Sequence, residues 1–483
     1  MNELCLLSAT ELARRIRAGD VTPIEVVDAH VDRALEVNGR LNAIVNPLYE
    51  RAREAARDAT EALALRSTRD DLPPLHGVPF TIKETFAVAG LPWTAGIHAR
   101  RGRVAETSAT VVARMLAAGA IPLGTTNVPE AAMWMESVNP IHGRTSNPHD
   151  TRRTPGGSSG GEGAIIGAGA SPLGLGSDIG GSIRMPAHFC GVPGHKPSPG
   201  RVPGTGHHPA ASGVVRRFAV CGPLARSVED LELAMEILSG PDGHDDSIDA
   251  PPFRRLSATG PQPRRVYFFE HGQFPSTPSM VNAVRRAVGA LADRGFQAIE
   301  WRPAAIDHGV EMWFGAVQSA SSEKFLDILG DGTPIRPFRE LARLVFGGAH
   351  HTWPALATAL GEVVTGGRVS PRLTAAGERR HALRATIDAQ LGADAVLICP
   401  AFPRVAPRHR ESYRRPLEWI STGIFNVTEL PVTCIPAGRD VNDLPTGVQI
   451  VGASLRDDLT LAVARLVQDS LGGWRPGRGL HAV

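Results

Sequence analysis

The amino-acid sequence predicts an α/β protein. β-rich and helix-periodic segments alternate along most of the 483 residues, the pattern of stacked sheet and helix layers. The composition, 42% apolar and 21% charged, is that of a globular chain with a large core. A helical period through the first 65 residues adds an N-terminal helical part ahead of the first strand.

The elements follow in order. Ser8 to Glu11 and Thr22 to Glu25 both have capping-box spacing, the second with Pro23 at the first helical position. Val26, Val27, Ala34 and Leu35 recur at helical period, and RAREAARDATEALALR (51–66) is a further amphipathic helix. HGVPFTIKET (76–85) is β-rich and puts Lys83 near a strand end. TSATVVARMLAAGA reads as a helix, AIPLGT as a strand, and NVPEAAMWM (127–135) as a helix entered through Pro129. Strands are expected at SPLGLGS, RRVYFFE and FQAIEW, with helices at SVEDLELAMEIL and SMVNAVRRAVGALADRG. Residues 310–390 read as mainly helical, and DAVLICPAF, LPVTCIPAG and TGVQIVGA close the chain as strands before a helix in DDLTLAVARLVQDSL. Residues 240–263 hold eight Pro or Gly in 24 positions and are read as a surface connection, since apolar strands resume on both sides.

Composition excludes several functions. A net charge of +2 argues against nucleic acid as a partner, which calls for a concentrated basic face. Five dispersed cysteines (5, 190, 221, 399, 434) match no zinc or CxxC spacing and indicate free thiols in a reducing compartment. No secretion signal or run of 18 apolar residues is present, so a cytoplasmic protein without a membrane span is expected. Of 51 basic residues only Lys83, Lys196 and Lys324 are lysines. Arginine stays charged at any biological pH, whereas a desolvated lysine can become a neutral base, so these three are the candidates for a titratable amine.

The stretch 154–191, TPGGSSGGEGAIIGAGASPLGLGSDIGGSIRMPAHFCG, holds twelve glycines and five serines. Neither GxGxxG nor GxxxxGK[ST] occurs in it, so phosphate-loop readings fail. Ser158 and Ser159 each centre a G-x-S-x-G, but the polar NPHDTRRTP ahead of them is no hydrophobic strand, so the nucleophile-elbow match reads as an accident of composition. SPLGLGSD does read as a strand, and DIGGS would end it in a glycine turn presenting Ser182. Such a turn is either plain chain reversal or a loop whose Ile179, Gly180, Gly181 and Ser182 amides converge on an oxyanion.

PLHGVPFTIKET, TPGGSSGGEGA, SPLGLGSDIGGSIRMPAHFCG and GPLARSVEDLELAMEIL resemble the amidase signature family of serine hydrolases, most closely its fatty-acid-amide-hydrolase branch. The similarity runs from SATELARRIRAGDVTPIEVV to LPTGVQIVG. It implies one domain over 1–483, a large twisted mixed β-sheet flanked by α-helices on both faces. Within it lie helices at 1–65, a catalytic core at about 75–240, and a helical pocket or lid region at about 310–390. By resemblance Lys83 is the catalytic base, Ser158 a bridging serine on a cis Gly157–Ser158 peptide, and Ser182 the acyl-forming nucleophile. Ile179, Gly180, Gly181 and Ser182 would then form the oxyanion hole, with Ser159, Asp178 and Arg184 as supports. Burial in VPFTIKE would lower the pKa of Lys83. Met133 and Trp134 fall on a pocket-lining helix, and Met312, Trp313, Phe314, Phe325 and Trp353 would supply an apolar wall or lid.

The implied activity is hydrolysis of small-molecule amides, anilides, carbamates or esters through an acyl-enzyme, with no cofactor or metal, by a monomer or homodimer. The chain departs from the family at His195 and in GTGHHPAASG (204–213). His207 and His208 are expected at the surface of a mobile loop at the pocket mouth, Lys196 in a structural role and Lys324 in solvent. Two other roles compete with this one. An amidotransferase A-type subunit acting on charged transfer RNA usually carries YGRVSRYG where this chain has PGRVPGTGHH. A non-catalytic binding protein would lack a member of the Lys–Ser–Ser set, and all three are present.

Overall fold

The computed structural model describes residues 1–65, 71–211, 213–257, 263–320, 323–365 and 370–480. Arg66, Ser212, 258–262 and 366–369, which fall in segments given a sequence reading above, lie outside the described residues, as do 321–322.

The chain enters through capped helices. The Ser8 hydroxyl accepts from Glu11 N at the head of the helix Ala9–Ala18. Thr22 and Glu25 exchange bonds in a full capping box at the head of Pro23–Leu41. The strands are β1 (Ile44–Pro47), β2 (Pro79–Lys83), β3 (Ile121–Thr126), β4 (Val138–Asn139), β5 (Gly143–Arg144), β6 (Leu173–Asp178) and β7 (Gly194–Lys196). They continue with β8 (Val220–Ala225), β9 (Arg265–Phe268), β10 (Gln297–Glu300), β11 (Ala395–Pro400), β12 (Val432–Arg439) and β13 (Pro445–Val451). All but the β4–β5 pair form one sheet in the order β1-β3-β2-β6-β8-β7-β12-β13-β11-β9-β10. β1 breaks the helical reading of residues 1–65: Asn42, at φ 51°, ends the helix Pro23–Leu41, and the residues after it pair antiparallel with β3. It is mixed: β3-β2-β6 and β11-β9-β10 are parallel, and the strands between β6 and β11 are antiparallel.

Both faces of the sheet are covered, and residue parity shows how. Val396 and Ile398 of β11 join Val448 and Ile450 of β13 in a cluster with Leu12, Leu231, Ala287 and Leu461 from four helices. The intervening Leu397 and Cys399 turn the other way and pack with Met312, Leu383 and Phe425 from three more. Alternate side chains thus feed two cores, as a sheet buried on both sides requires. Cys5, Cys190, Cys221, Cys399 and Cys434 are free and buried. Among the described residues no helix is long and apolar enough to cross a membrane.

Residues 127–135 depart from the expected helix. Only Glu130–Ala132 form a single 3-10 turn, and Ala131 and Ala132 have φ of 56° and 54°. Tertiary bonds outcompete helix propensity here: Ala131 N donates to Ala95 O, and the Glu130 carboxylate holds His351 and the Thr352 amide. Met133 therefore has extended backbone and Trp134 sits in a bend with φ of 144°, and neither lies on a helix. The described part of 240–263 crosses the surface but is tied down, with Phe253 buried and Arg201 donating to Pro251 O.

Candidate active site

β2 and β6 are parallel neighbours, so their carboxyl ends open at the same edge of the sheet, where α/β proteins place their sites. Lys83 is the last residue of β2 and Ser177 and Asp178 the last two of β6. After a polar, proline-containing approach the chain makes a cis Gly157–Ser158 peptide and enters the helix Gly160–Gly167. This helix lies close against the strands because glycine lines the approach. A Cβ on Gly174 of β6 would stand 1.8 Å from Glu162 Oε2. Glu162 in turn bridges Thr81 of β2 and Thr126 of β3, at 2.6 and 2.7 Å.

Lys83 is wholly buried. Its Nζ lies 2.8 Å from Ser158 Oγ, 2.8 Å from Ser177 Oγ and 3.3 Å from Ser177 O. Burial pulls its pKa down from 10.5 to about 7, against the opposing pull of Asp178, Cys221 and Glu162. An amine with that pKa is substantially neutral at physiological pH, the condition for accepting a proton. Ser159 N donates to Ser182 O at 3.1 Å, which brings the 157–159 turn beside Ser182.

The loop after β6 is held carbonyl by carbonyl. Asn426 Nδ2 donates to Asp178 O, Trp313 Nε1 to Ile179 O, Thr422 Oγ1 to Gly180 O and Met185 N to Gly181 O, at 2.7–3.0 Å. In a planar trans peptide the next N–H points opposite the carbonyl, so each bond also aims one amide. The Gly181 amide donates to Asp178 Oδ1 at 2.7 Å. Those of Ile179, Gly180 and Ser182 have no acceptor among the described residues. Three of the four expected amides are therefore free to bind an anion, and the fourth is engaged. Gly181 itself is obligatory: its φ is 115°, and a Cβ would meet Thr422 Oγ1 at 1.9 Å.

Asp178 and Arg184 form a buried ion pair at 2.9 Å. Burial alone would raise the Asp178 pKa, but Arg184, the Ile183 amide and Asn426 together hold it well below the usual carboxylate range. Arg184 also donates to Thr422 O, Gln449 Oε1 and Asn426 Oδ1. Asn426 and Gln449 went unnoticed in the sequence, although a lone amide inside an apolar run such as TGVQIVGA signals a buried hydrogen-bonded site.

Other expectations fare differently. Trp134 is half-buried, donates to Ser412 Oγ and packs against Tyr413 and the Met135–Met185–Phe402 cluster, while its carbonyl abuts Gly157; Met133 is half-buried beside it. Trp313, Phe314 and Trp419 make an aromatic cluster over Gly180. Met312 is core, Phe325 packs against Leu329 and Ala355, and Trp353 is 47% exposed. Lys324 is exposed; Lys196 is buried with Nζ on Pro197 O.

His207 and His208 are not surface residues of a loose loop. Both are half-buried and the segment is pinned to the chain leaving β2: Ala87 N donates to Gly206 O and His208 N to Thr85 O. His207 Nε2 lies 2.8 Å from Ser177 Oγ.

The amidase family model matches residues 25–461. The chain is 38% identical to fatty-acid amide hydrolase 2-A of Danio rerio, over 99% of its own length and 91% of that protein's. It is 32% identical to an acylamidase of Rhodococcus erythropolis, over 95% and 94%. The solved structure of 6-aminohexanoate cyclic dimer hydrolase with its substrate superposes with a TM-score of 0.82 at 26% identity, covering 99% and 100%. The chain belongs to the amidase signature family. It is an amidohydrolase that cleaves carbon–nitrogen bonds in small-molecule amides.

Proposed function

We propose that hydrolysis runs through an acyl-enzyme on Ser182, with Ser158 as proton bridge and Lys83 as base. The observation that carries this reading is the buried Lys83 amine, its pKa lowered to about 7, set 2.8 Å from the Ser158 hydroxyl. Neutral Lys83 takes the Ser158 proton while Ser158 takes that of Ser182, whose Oγ attacks the carbonyl carbon. The Ile179, Gly180 and Ser182 amides receive the developing oxyanion. Proton flow then reverses: Lys83 returns its proton through Ser158 to the leaving nitrogen, the C–N bond breaks and the amine departs. Water, deprotonated by the same relay, attacks the acyl carbon and frees the acid and Ser182.

This chemistry asks only for a carbonyl and a leaving group that a relayed proton can release. Anilides, carbamates and esters are therefore proposed as substrates beside plain amides. The Trp313–Phe314–Trp419 cluster favours an apolar group next to the carbonyl. Purified Ser182→Ala is expected to lose turnover of all four probe classes, and a fluorophosphonate is expected to label the unaltered enzyme at Ser182 alone. Retained turnover in Ser182→Ala would refute the acyl-enzyme.

A further inference from the structure

We propose that His207 is a positioning residue for the base: through the Ser177 hydroxyl it aims the lone pair of Lys83 at Ser158. The inference rests on the Lys–Ser–Ser reading and adds to it a residue from the loop pinned to the chain leaving β2.

Hydrogen-bond direction carries the case. His207 Nδ1 lies 2.9 Å from Pro209 O, an atom that can only accept, so Nδ1 bears the proton. Nε2 is then a bare acceptor, and its 2.8 Å partner, Ser177 Oγ, must donate to it. With its only proton committed, Ser177 Oγ can only accept from Lys83, 2.8 Å away. Ser177 O, at 3.3 Å, likewise accepts. A neutral lysine has two N–H bonds and one lone pair; both N–H bonds are now assigned to Ser177. The lone pair is left for Ser158 Oγ, the remaining polar neighbour at 2.8 Å.

The histidine is fitted for this task. Its ring packs edge-on to Phe86, 5.1 Å between centroids. Burial, with Lys83 beside it, lowers its pKa to about 3, so Nε2 stays an acceptor across the working range. Asp178, Glu162 and Cys221 are the other titratable groups acting on Lys83, from β6, the helix Gly160–Gly167 and β8. Among the described residues none of them hydrogen-bonds to the Ser177 hydroxyl, whose partners are Lys83 and His207, so none can set its rotor.

Without the acceptor, Ser177 is free to rotate and donate into the lysine lone pair. That bond stabilises the neutral amine and competes with Ser158. The expected signature of His207→Phe is thus a plateau kcat lower by roughly tenfold, with the acidic limb of the kcat profile moved to lower pH. Simple loosening of the site would hydrate Lys83 and move that limb the other way. His207→Gln, whose Oε1 can accept from Ser177, should keep the limb in place. In a Ser177→Ala background His207→Phe should add nothing to either measure. A limb that stays put or rises in His207→Phe, equal damage in the Gln variant, or additive losses in the double variant would each overturn the proposal. Ser182→Ala and Lys83→Ala, assayed alongside, test the underlying triad separately, since their loss of turnover does not depend on His207.

Discussion

At the scale of single residues, a chain that uses arginine almost throughout keeps lysine at the one place where a proposed base must shed its charge. Lys83→Arg preserves a cation and much of the volume, but a guanidinium stays protonated at any assay pH. It cannot take the Ser158 proton, so kcat is expected to fall about 10²–10⁴-fold while the fold is retained; circular dichroism beside turnover checks both. The sign of the pH dependence in the unaltered enzyme follows from the same group. Its pKa is lowered to about 7 and the proposed relay needs the neutral form, so activity is expected to rise as pH increases through 7 and to be lost below it. An acidic limb near 4, the range of an unperturbed carboxylate, would mean that another base operates.

At the scale of elements, the loop between β6 and the helix Arg184–Cys190 gains its shape from groups outside it. Trp313 arrives from the helix Gly309–Ala320, more than a hundred residues downstream, and donates to Ile179 O at 3.0 Å. Trp313→Phe keeps the ring in its T-shaped stack on Trp419 but removes that donor. The Gly180 amide then loses its aim, and because the oxyanion exists only after attack, kcat should fall roughly tenfold with KM little changed. A rise in KM at constant kcat would assign Trp313 to substrate packing instead. This loop also marks how far the sequence could be read. Lys83 at a strand end and the DIGGS turn were visible because local rules govern them: an apolar run closed by charged residues at Lys83 and Glu84, and one closed by glycine at DIGGS. Ser177, Asn426, Gln449 and the inward His207 were not, since each acquires its role from a partner distant in sequence. β7 and β8 escaped for a different reason: β7 has three residues, and β8 carries Gly222 and Pro223, which strand patterns disfavour. Residues 130–134 failed outright, because Ala95 and Thr352 reward an irregular turn more than a helix would.

At the scale of the whole molecule, one buried cluster joins the first and second halves of the chain across the middle of the sheet. Asp178 comes from β6, Arg184 from the helix after it, Asn426 from the helix Ile420–Val427 and Gln449 from β13. Every charged member is fully buried, so the cluster is stable only while complete. Arg184→Leu would strand the Asp178 carboxylate in the core and leave Asn426 and Gln449 without their donor. The expected cost is about 3–5 kcal/mol of stability, read as a lower denaturant midpoint. The pH dependence identifies the cause. The folded Asp178 pKa is depressed below its ordinary 3.8, so its contribution is present above that value and is lost as pH falls through the folded pKa. In the unaltered protein stability should decline as pH drops below about 4, the ordinary aspartate range. In Arg184→Leu the carboxyl is no longer held ionised, its pKa rises with burial, and that portion of the acid-side slope should flatten or reverse. A variant with an unchanged midpoint, or with the same acid-side slope, would show that the cluster fills space without joining the halves of the fold.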